Sequence, residues 1–191
     1  MKKIILAGFG YLGKFIEQQA GFNERKVLYK LSRIPDKHRN GFGNHVEVDF
    51  DKEKFDITEI VGESTIIYMT PPNKDRDGDP RLENFLNNIK NSNLERIVYI
   101  STSGVYGDCG GLSVTEDAEL KPLTDRAKKR VIAEKMVMKH SAVCNTNYVI
   151  LRVPGIYGLG RLPLSKVRER EPLIIKDECK ISNLIIVEDL A

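Results

Sequence analysis

The sequence opens MKKIILAGFGYLGKFIE, and Gly8, Gly10 and Gly13 punctuate it at the spacing G-x-G-x-x-G. An apolar run (residues 4–7) precedes the glycines, and an amphipathic stretch (residues 11–20) follows them. A strand that turns into a helix on such glycines suits a pyrophosphate. Gly8 makes the tight turn, the bare Gly10 lets phosphate reach the backbone, and Gly13 lets the helix pack close to the strand. The amides around Tyr11, Leu12 and Gly13, with the positive end of the helix, then face the phosphates. The alternative is a glycine-rich corner with no ligand. Its place between strand and helix favours dinucleotide binding.

The next strand, residues 27–31, bears on which dinucleotide. An NAD site usually carries Asp or Glu at this strand's end to bond the ribose 2′-OH. No acidic residue occurs from Leu28 to Pro35; Ser32 and Arg33 stand there, with Lys37 and Arg39 nearby. A guanidinium suits a 2′-phosphate and no carboxylate repels it. The expectation is NADP, with NAD as the alternative. The bland reading of Arg33 is a solvated loop charge.

Further apolar runs fall at residues 45–48, 65–69, 97–100 and 148–153, with two more at 173–175 and 184–187. Between them come helical patterns at about 81–92, where Leu82, Phe85, Leu86 and Ile89 share a face, and at about 124–140, with Thr124 as N-cap. Alternating strands and helices predict an α/β fold with a doubly wound, mostly parallel sheet of the Rossmann kind, forming one domain over residues 1–191. The polar segment 71–80, PPNKDRDGDP, reads as a loop on the ligand side.

Composition narrows the classes. The 191 residues carry 30 basic and 27 acidic side chains, too even a balance to argue for nucleic acid or an anionic membrane. No apolar run approaches the ~20 residues of a membrane span. Cys109, Cys144 and Cys179 are widely spaced without a CxxC, which points to a reducing compartment, the cytoplasm, and to no zinc site. His38, His45 and His140 show no ligand spacing.

The segments RIVYISTSGVYGD (96–108), LRVPGIYGLGR (151–161) and ISNLIIVEDLA (181–191) resemble, in order and spacing, the extended short-chain dehydrogenase/reductases, the NAD-dependent epimerase/dehydratase relatives. The likeness spans the whole chain and is closest to the atypical branch. It implies that Thr102 is the hydroxyl that bonds a substrate oxygen and that Asp49 contacts the adenine amino group. It implies too that Thr70 and Pro71 line the cofactor and that Pro154, Gly155 and Ile156 meet its nicotinamide end. A strand-end cap is the bland role for Thr102, and ordinary turn chemistry for Asp49. In the family the chain would continue from NLIIVEDLA into a helix and the rest of a substrate lobe. Residues 155–191 would then begin a truncated substrate-binding portion; a complete minimal dinucleotide domain is the alternative.

One departure touches the chemistry. The family's active Tyr and Lys lie four apart just before a glutamate. Counting back from Glu134 puts Arg130 in the lysine place and Arg126 in the tyrosine place. A guanidinium can orient or neutralise an anion but cannot shuttle a proton. Two arginines on one helix face would receive a carboxylate or phosphate, if that face looks into the cleft. The bland reading is a solvated face with i,i+4 pairs Asp125–Lys129 and Arg130–Glu134. Tyr106 is a further candidate acid or base, and Lys128 is off the presumed face. The first functional expectation is an NAD(P)-dependent oxidoreductase or epimerase/dehydratase acting on a small-molecule carbonyl or sugar nucleotide, with an anionic substrate as one option. The second is a non-catalytic NADP-binding sensor, and a weaker third is an assembly role on the same fold.

Overall fold

In the computed structural model the described residues are 2–19, 26–33, 42–162, 168 and 182–191. The expected strand at 173–175, together with His38, Lys37, Arg39 and Cys179, lies outside them. The elements run β1 (Lys2–Ala7), α1 (Tyr11–Gln19), β2 (Lys26–Ser32), β3 (Asn44–Glu47), α2 (Thr58–Val61), β4 (Ser64–Tyr68) and α3 (Pro80–Ile89). They continue with β5 (Arg96–Thr102), a 3₁₀ turn (Ser103–Tyr106), α4 (Asp125–Cys144), β6 (Asn147–Val153), β7 (Gly155–Tyr157), β8 (Leu184–Ile186) and α5 (Val187–Leu190). Six strands form one parallel sheet in the order β3-β2-β1-β4-β5-β6, and β7 pairs with β8 in a small second sheet. The order reverses between β1 and β4, and ligands of such sheets sit at that switch point.

Local chemistry explains the helices. Asp79 caps α3 by accepting from the Leu82 amide (3.2 Å), with Pro80 in the first turn. Leu82, Phe85, Leu86 and Ile89 then share one buried face, and the helix stops at Ile89, short of the expected 92. Thr124 caps α4 through the Ala127 amide, and α4 runs past the expected 140 to Cys144, where Asn145 turns left-handed. The central strands bury both faces, while the edge strand β6 keeps Tyr148, Val149 and Leu151 exposed. Ile66, Tyr68, Ile97 and Tyr99 pack under α3 and α4, while Leu6, Leu28 and Ile100 pack with Leu12 and Ile16 of α1 and Val187 of α5. No described helix is long and apolar enough to cross a membrane.

Two buried charge clusters tie the layers together. Lys30 of β2 donates to Glu17 of α1 at 2.8 Å, both side chains under a tenth exposed, and its Nζ lies 5.2 Å from the centre of the Phe9 ring. Glu134 of α4, 2 % exposed, accepts from Ser101 of β5 and from Arg152 of β6 (3.0 Å), and Arg152 reaches on to Tyr106 Oη (2.9 Å) and the Glu116 carbonyl (2.8 Å). These contacts correct the expected helix pairs. Asp125 pairs with Lys128 (3.5 Å), and Lys129 donates to the carbonyls of Asn73 and Lys74 (2.9 Å each). After β5 the chain makes an exposed excursion that is closed at its base. The Lys121 amide donates to the Val105 carbonyl (3.0 Å), and Gly107, at φ +77, packs so close to the Lys121 carbonyl that no Cβ would fit.

Lys30→Met would leave the Glu17 carboxylate buried without a counter-charge, a loss of about 3 kcal/mol. Adding Glu17→Leu removes the orphaned charge and recovers most of that loss. Urea unfolding of the single and double variants checks both outcomes.

Candidate functional site

The glycine turn joins the end of β1 to α1. Gly8 sits at φ +86, and the amides of Gly8 and Phe9 both donate to the Leu31 carbonyl (3.0 and 2.9 Å). A Cβ on Gly8 would lie 2.2 Å from Thr70 Oγ1 and 2.8 Å from the Thr70 amide. A Cβ on Gly10 would meet nothing closer than 3.7 Å, so open space stands over that residue. A Cβ on Gly13 would press the Phe9 ring at 2.8 Å. The glycines thus answer a strained turn, an open approach and close packing, in that order. Lys14 donates back to the Gly10 carbonyl (3.2 Å), which leaves the amides of the first helical turn without intrahelical acceptors.

Gly8, Ser32, Arg33, Asp49, Thr70 and Pro71 line one cleft of about 180 Å³, together with Phe9, Asp51 and Arg81. They arrive from the ends of β1, β2, β3 and β4, the carboxyl edge at the switch point. Thr70 Oγ1 is buried and makes no well-formed hydrogen bond within the protein, although it interacts with the Tyr68 hydroxyl. A hydroxyl so weakly held beside a turn that admits no side chain fits a bound dinucleotide. A wider, shallow hollow of about 610 Å³ beside the end of α3 is lined by Phe55, Asn88 and neighbouring polar residues, and holds none of the candidate residues.

The cleft's charges are arranged around Asp51. Arg81 Nε and Nη2 donate to its two oxygens (2.8 and 2.7 Å), and Arg33 Nη1 lies 3.6 Å away. The hydrogen bond from Arg81 holds the Asp51 carboxyl below its usual range, and that same bond raises the guanidinium of Arg81. Asp49 Oδ1 accepts from the Asp51 amide (3.1 Å), which is turn chemistry, while its carboxylate still borders the cleft. Ser32 Oγ and His45 Nε2 are 2.9 Å apart.

Below the cleft lies a buried polar group. Arg130 is 5 % exposed and donates through Nη1 to Tyr99 Oη (2.8 Å) and the Ile100 carbonyl (2.9 Å). Burial pushes the Tyr99 phenol up to about 12, with Arg130 opposing the shift. Burial also raises the Asp79 carboxyl, against the hydrogen bond from the Leu82 amide. Asp79 Oδ2 and Arg130 Nε have no hydrogen-bond partner within the protein. Arg126, one turn earlier at the start of α4, is exposed. The two arginines therefore do not form a matched pair on an open face: Arg130 turns in against the sheet while Arg126 meets solvent.

The remaining candidates divide. Thr102 Oγ1 accepts from the Gly104 amide (3.3 Å), the strand-end cap, and its residue lies at the β5 terminus opposite Val153. Tyr106 is half-buried, its hydroxyl accepting from Arg152 and its ring 5.0 Å beneath that guanidinium. Leu12 is core. Tyr11 stacks 4.2 Å under Arg161 with its hydroxyl buried and unpartnered. Pro154, Gly155 and Ile156 do not line the cleft; the Gly155 amide donates to the Asn183 carbonyl (3.2 Å), and Ile156 packs on the α1 side of the core. Asp51, Arg81 and Arg152 were not anticipated. Asp51 stands two residues past Asp49, and nothing in the pattern of α3 says that Arg81 reaches back to it. No cluster of metal-ligating residues occurs among the described residues.

Comparison with known proteins places this geometry. No curated protein matches the sequence. Among solved structures the chain is similar to UDP-glucuronic acid 4-epimerase from Bacillus cereus in complex with UDP-glucuronic acid and NAD. The TM-score is 0.79 at 18 % identity, over 100 % of this chain and 70 % of that one. It is similar to dTDP-glucose 4,6-dehydratase from Bacillus anthracis in complex with NAD (TM-score 0.77, 17 % identity, 100 % and 68 % covered). It is likewise similar to UDP-N-acetylglucosamine 4-epimerase from Methanobrevibacter ruminantium in complex with UDP-N-acetylmuramic acid (TM-score 0.74, 16 % identity, 99 % and 70 % covered). At such identities the likeness establishes the doubly wound fold. The family model matches residues 82–178, from α3 through the TSGVY segment and beyond β6. With just over half of its residues matched, the chain belongs to the NAD dependent epimerase/dehydratase family.

Proposed function

We propose that the protein binds a nicotinamide dinucleotide, NADP in preference to NAD, and uses it on a carbonyl or carbinol carbon of a sugar-nucleotide type substrate. The observation that carries this reading is the single cleft at the switch point, where six residues picked from the sequence for cofactor contact come together around a turn that tolerates no side chain at Gly8. The similar structures that hold NAD and a UDP-sugar support a nicotinamide dinucleotide and a sugar-nucleotide substrate; the preference for NADP rests on Ser32 and Arg33 in place of an acid at the end of β2. The free cysteines Cys109 and Cys144 fit a reducing compartment, the cytoplasm.

In this reading the bound dinucleotide supplies hydride transfer at its nicotinamide. The chain's own groups do the rest. The amides at the start of α1 and the hydroxyl of Thr70 hold the phosphate and ribose end; Asp49 borders the adenine, and Arg33 meets a 2′-phosphate. Thr102, whose oxygen already accepts from Gly104, keeps its hydroxyl proton to donate to a substrate oxygen. Arg126 stands exposed to receive an anionic substituent. Tyr106 closes the 3₁₀ turn that follows β5, and Arg152, by donating to its oxygen, frees the phenol proton for a substrate.

A second reading, a non-catalytic NADP-binding sensor, is favoured by Arg130. Its guanidinium is spent on Tyr99 and the Ile100 carbonyl, so neither an ammonium nor a phenol stands where the family keeps its proton-transferring pair.

Calorimetric titration is expected to give heat with NADPH and a weaker response with NADH. Gly10→Ala, whose new methyl comes no closer than 3.7 Å to a protein atom, should keep the thermal midpoint nearly unchanged while weakening either cofactor by about tenfold or more. No heat with either coenzyme would remove the proposal. With a panel of aldehydes and sugar nucleotides, Thr102→Ala should cut turnover by about 100-fold without changing cofactor affinity. Tight cofactor binding with no turnover in the unsubstituted protein selects the sensor.

A further inference from the structure

We propose that Asp51, clamped by Arg81, is an internal counter-anion that sets how sharply the cleft distinguishes a 2′-phosphorylated dinucleotide from the plain one; this rests on the cofactor reading above. One carboxylate stands between two guanidinium groups that hold it differently. Arg81 grips both oxygens (2.8 and 2.7 Å) with its side chain 18 % exposed, and its Nη1 also lies 3.4 Å from the Pro71 carbonyl. That fork is fixed. Arg33 has a side chain 63 % exposed and only a 3.6 Å approach to the same carboxylate. It is the loose arm, free to swing between Asp51 and an incoming anion.

The consequence has a definite sign. A 2′-phosphate seated against Arg33 must draw it away from Asp51 and must tolerate the carboxylate's negative charge at close range. A bare 2′-hydroxyl meets neither cost, and it can donate a hydrogen bond to a carboxylate. Asp51 thus restores from the β3 side the acid that β2 lacks, and Arg81 tempers it by neutralising part of its charge. The cleft is poised between the two dinucleotides, with Arg33 pulling one way and Asp51 the other. The Asp51 amide is anchored separately, on Asp49 Oδ1, so replacing the side chain leaves this main-chain anchor in place.

The test is the ratio of NADPH to NADH affinity, measured by calorimetry on the whole chain at fixed salt. Asp51→Asn should raise that ratio roughly three- to fivefold, the range of a partly exposed charge pair. Arg81→Gln, which leaves the carboxylate opposed only by the loose Arg33 and by the side-chain amide of Asn73 (3.3 Å), should lower it. In an Arg33→Ala background the Asp51→Asn gain should shrink to less than half, because the two residues act through each other. An unchanged or reduced ratio in Asp51→Asn overturns the proposal, as does an equal gain without Arg33. Should Asp51→Asn unfold, the Arg81→Gln ratio decides, and no fall there overturns the proposal. If neither dinucleotide binds the unsubstituted protein, the cofactor reading fails and takes this proposal with it; binding with unresponsive ratios fails this proposal alone.

Discussion

The distance between Gly8 and Thr70 governs the candidate site. β1 and β4 lie side by side in the sheet, and at their carboxyl ends the chains approach so closely that a single methyl would collide with the Thr70 main chain. This crowding forces Gly8 to a positive φ, turns the chain toward the Leu31 carbonyl and aims the start of α1 over the sheet edge. Everything that borders the cleft is held relative to that point: Ser32 and Arg33 by the β1–β2 register, Asp49 through β3, Pro71 by continuity from Thr70. A parallel sheet is stiff, so side chains placed at the ends of neighbouring strands keep their spacing.

A second constraint is the handling of buried charge. Lys30 beneath the glycine turn and Glu134 beneath the end of β5 are both desolvated, and each is matched by partners from other elements. Such pairs add little net stability but make misplacement expensive, since removing one partner strands the other. Glu17, Lys30 and the Phe9 ring thereby lock α1 to β2, and Ser101, Glu134 and Arg152 lock α4 to β5 and β6. Arg130 belongs to the same economy of buried charge. Its guanidinium is turned toward Tyr99 and serves as internal scaffolding.

The fold was legible because it rests on periodicity and turn chemistry. Apolar runs located the strands, Thr124 announced α4, and the helical spacing of Leu82, Phe85, Leu86 and Ile89 announced α3. The glycine turn was legible because glycines at Gly8 and Gly13 answer crowding within the fold, and the glycine at Gly10 leaves open space that only a ligand would explain. What escaped was set by side-chain reach across elements. Arg130 and Glu134 stand four apart, the ordinary spacing for a helix pair, yet Arg152 from β6 takes the glutamate and Tyr99 takes the arginine. Asp51 and Arg81 are thirty residues apart, and only the packing of α3 beside the β3–α2 loop brings them into contact. The strand Gly155–Tyr157 escaped as well, because its pairing partner lies far along the chain at Leu184–Ile186.

The excursion from Gly107 to Lys121 is stitched shut at its base by one main-chain bond and a glycine contact, and its residues 110–117 are open to water. Lengthening a loop closed in this way costs only a logarithmic entropy increment, provided the Glu116 carbonyl still meets Arg152 of β6. Its rim adjoins Tyr106 and the end of β5, whereas the glycine turn belongs to the opposite half of the sheet. Insertions and deletions can accumulate there without reaching the glycine turn, so related chains can differ at this rim while inheriting the same strand-to-helix corner.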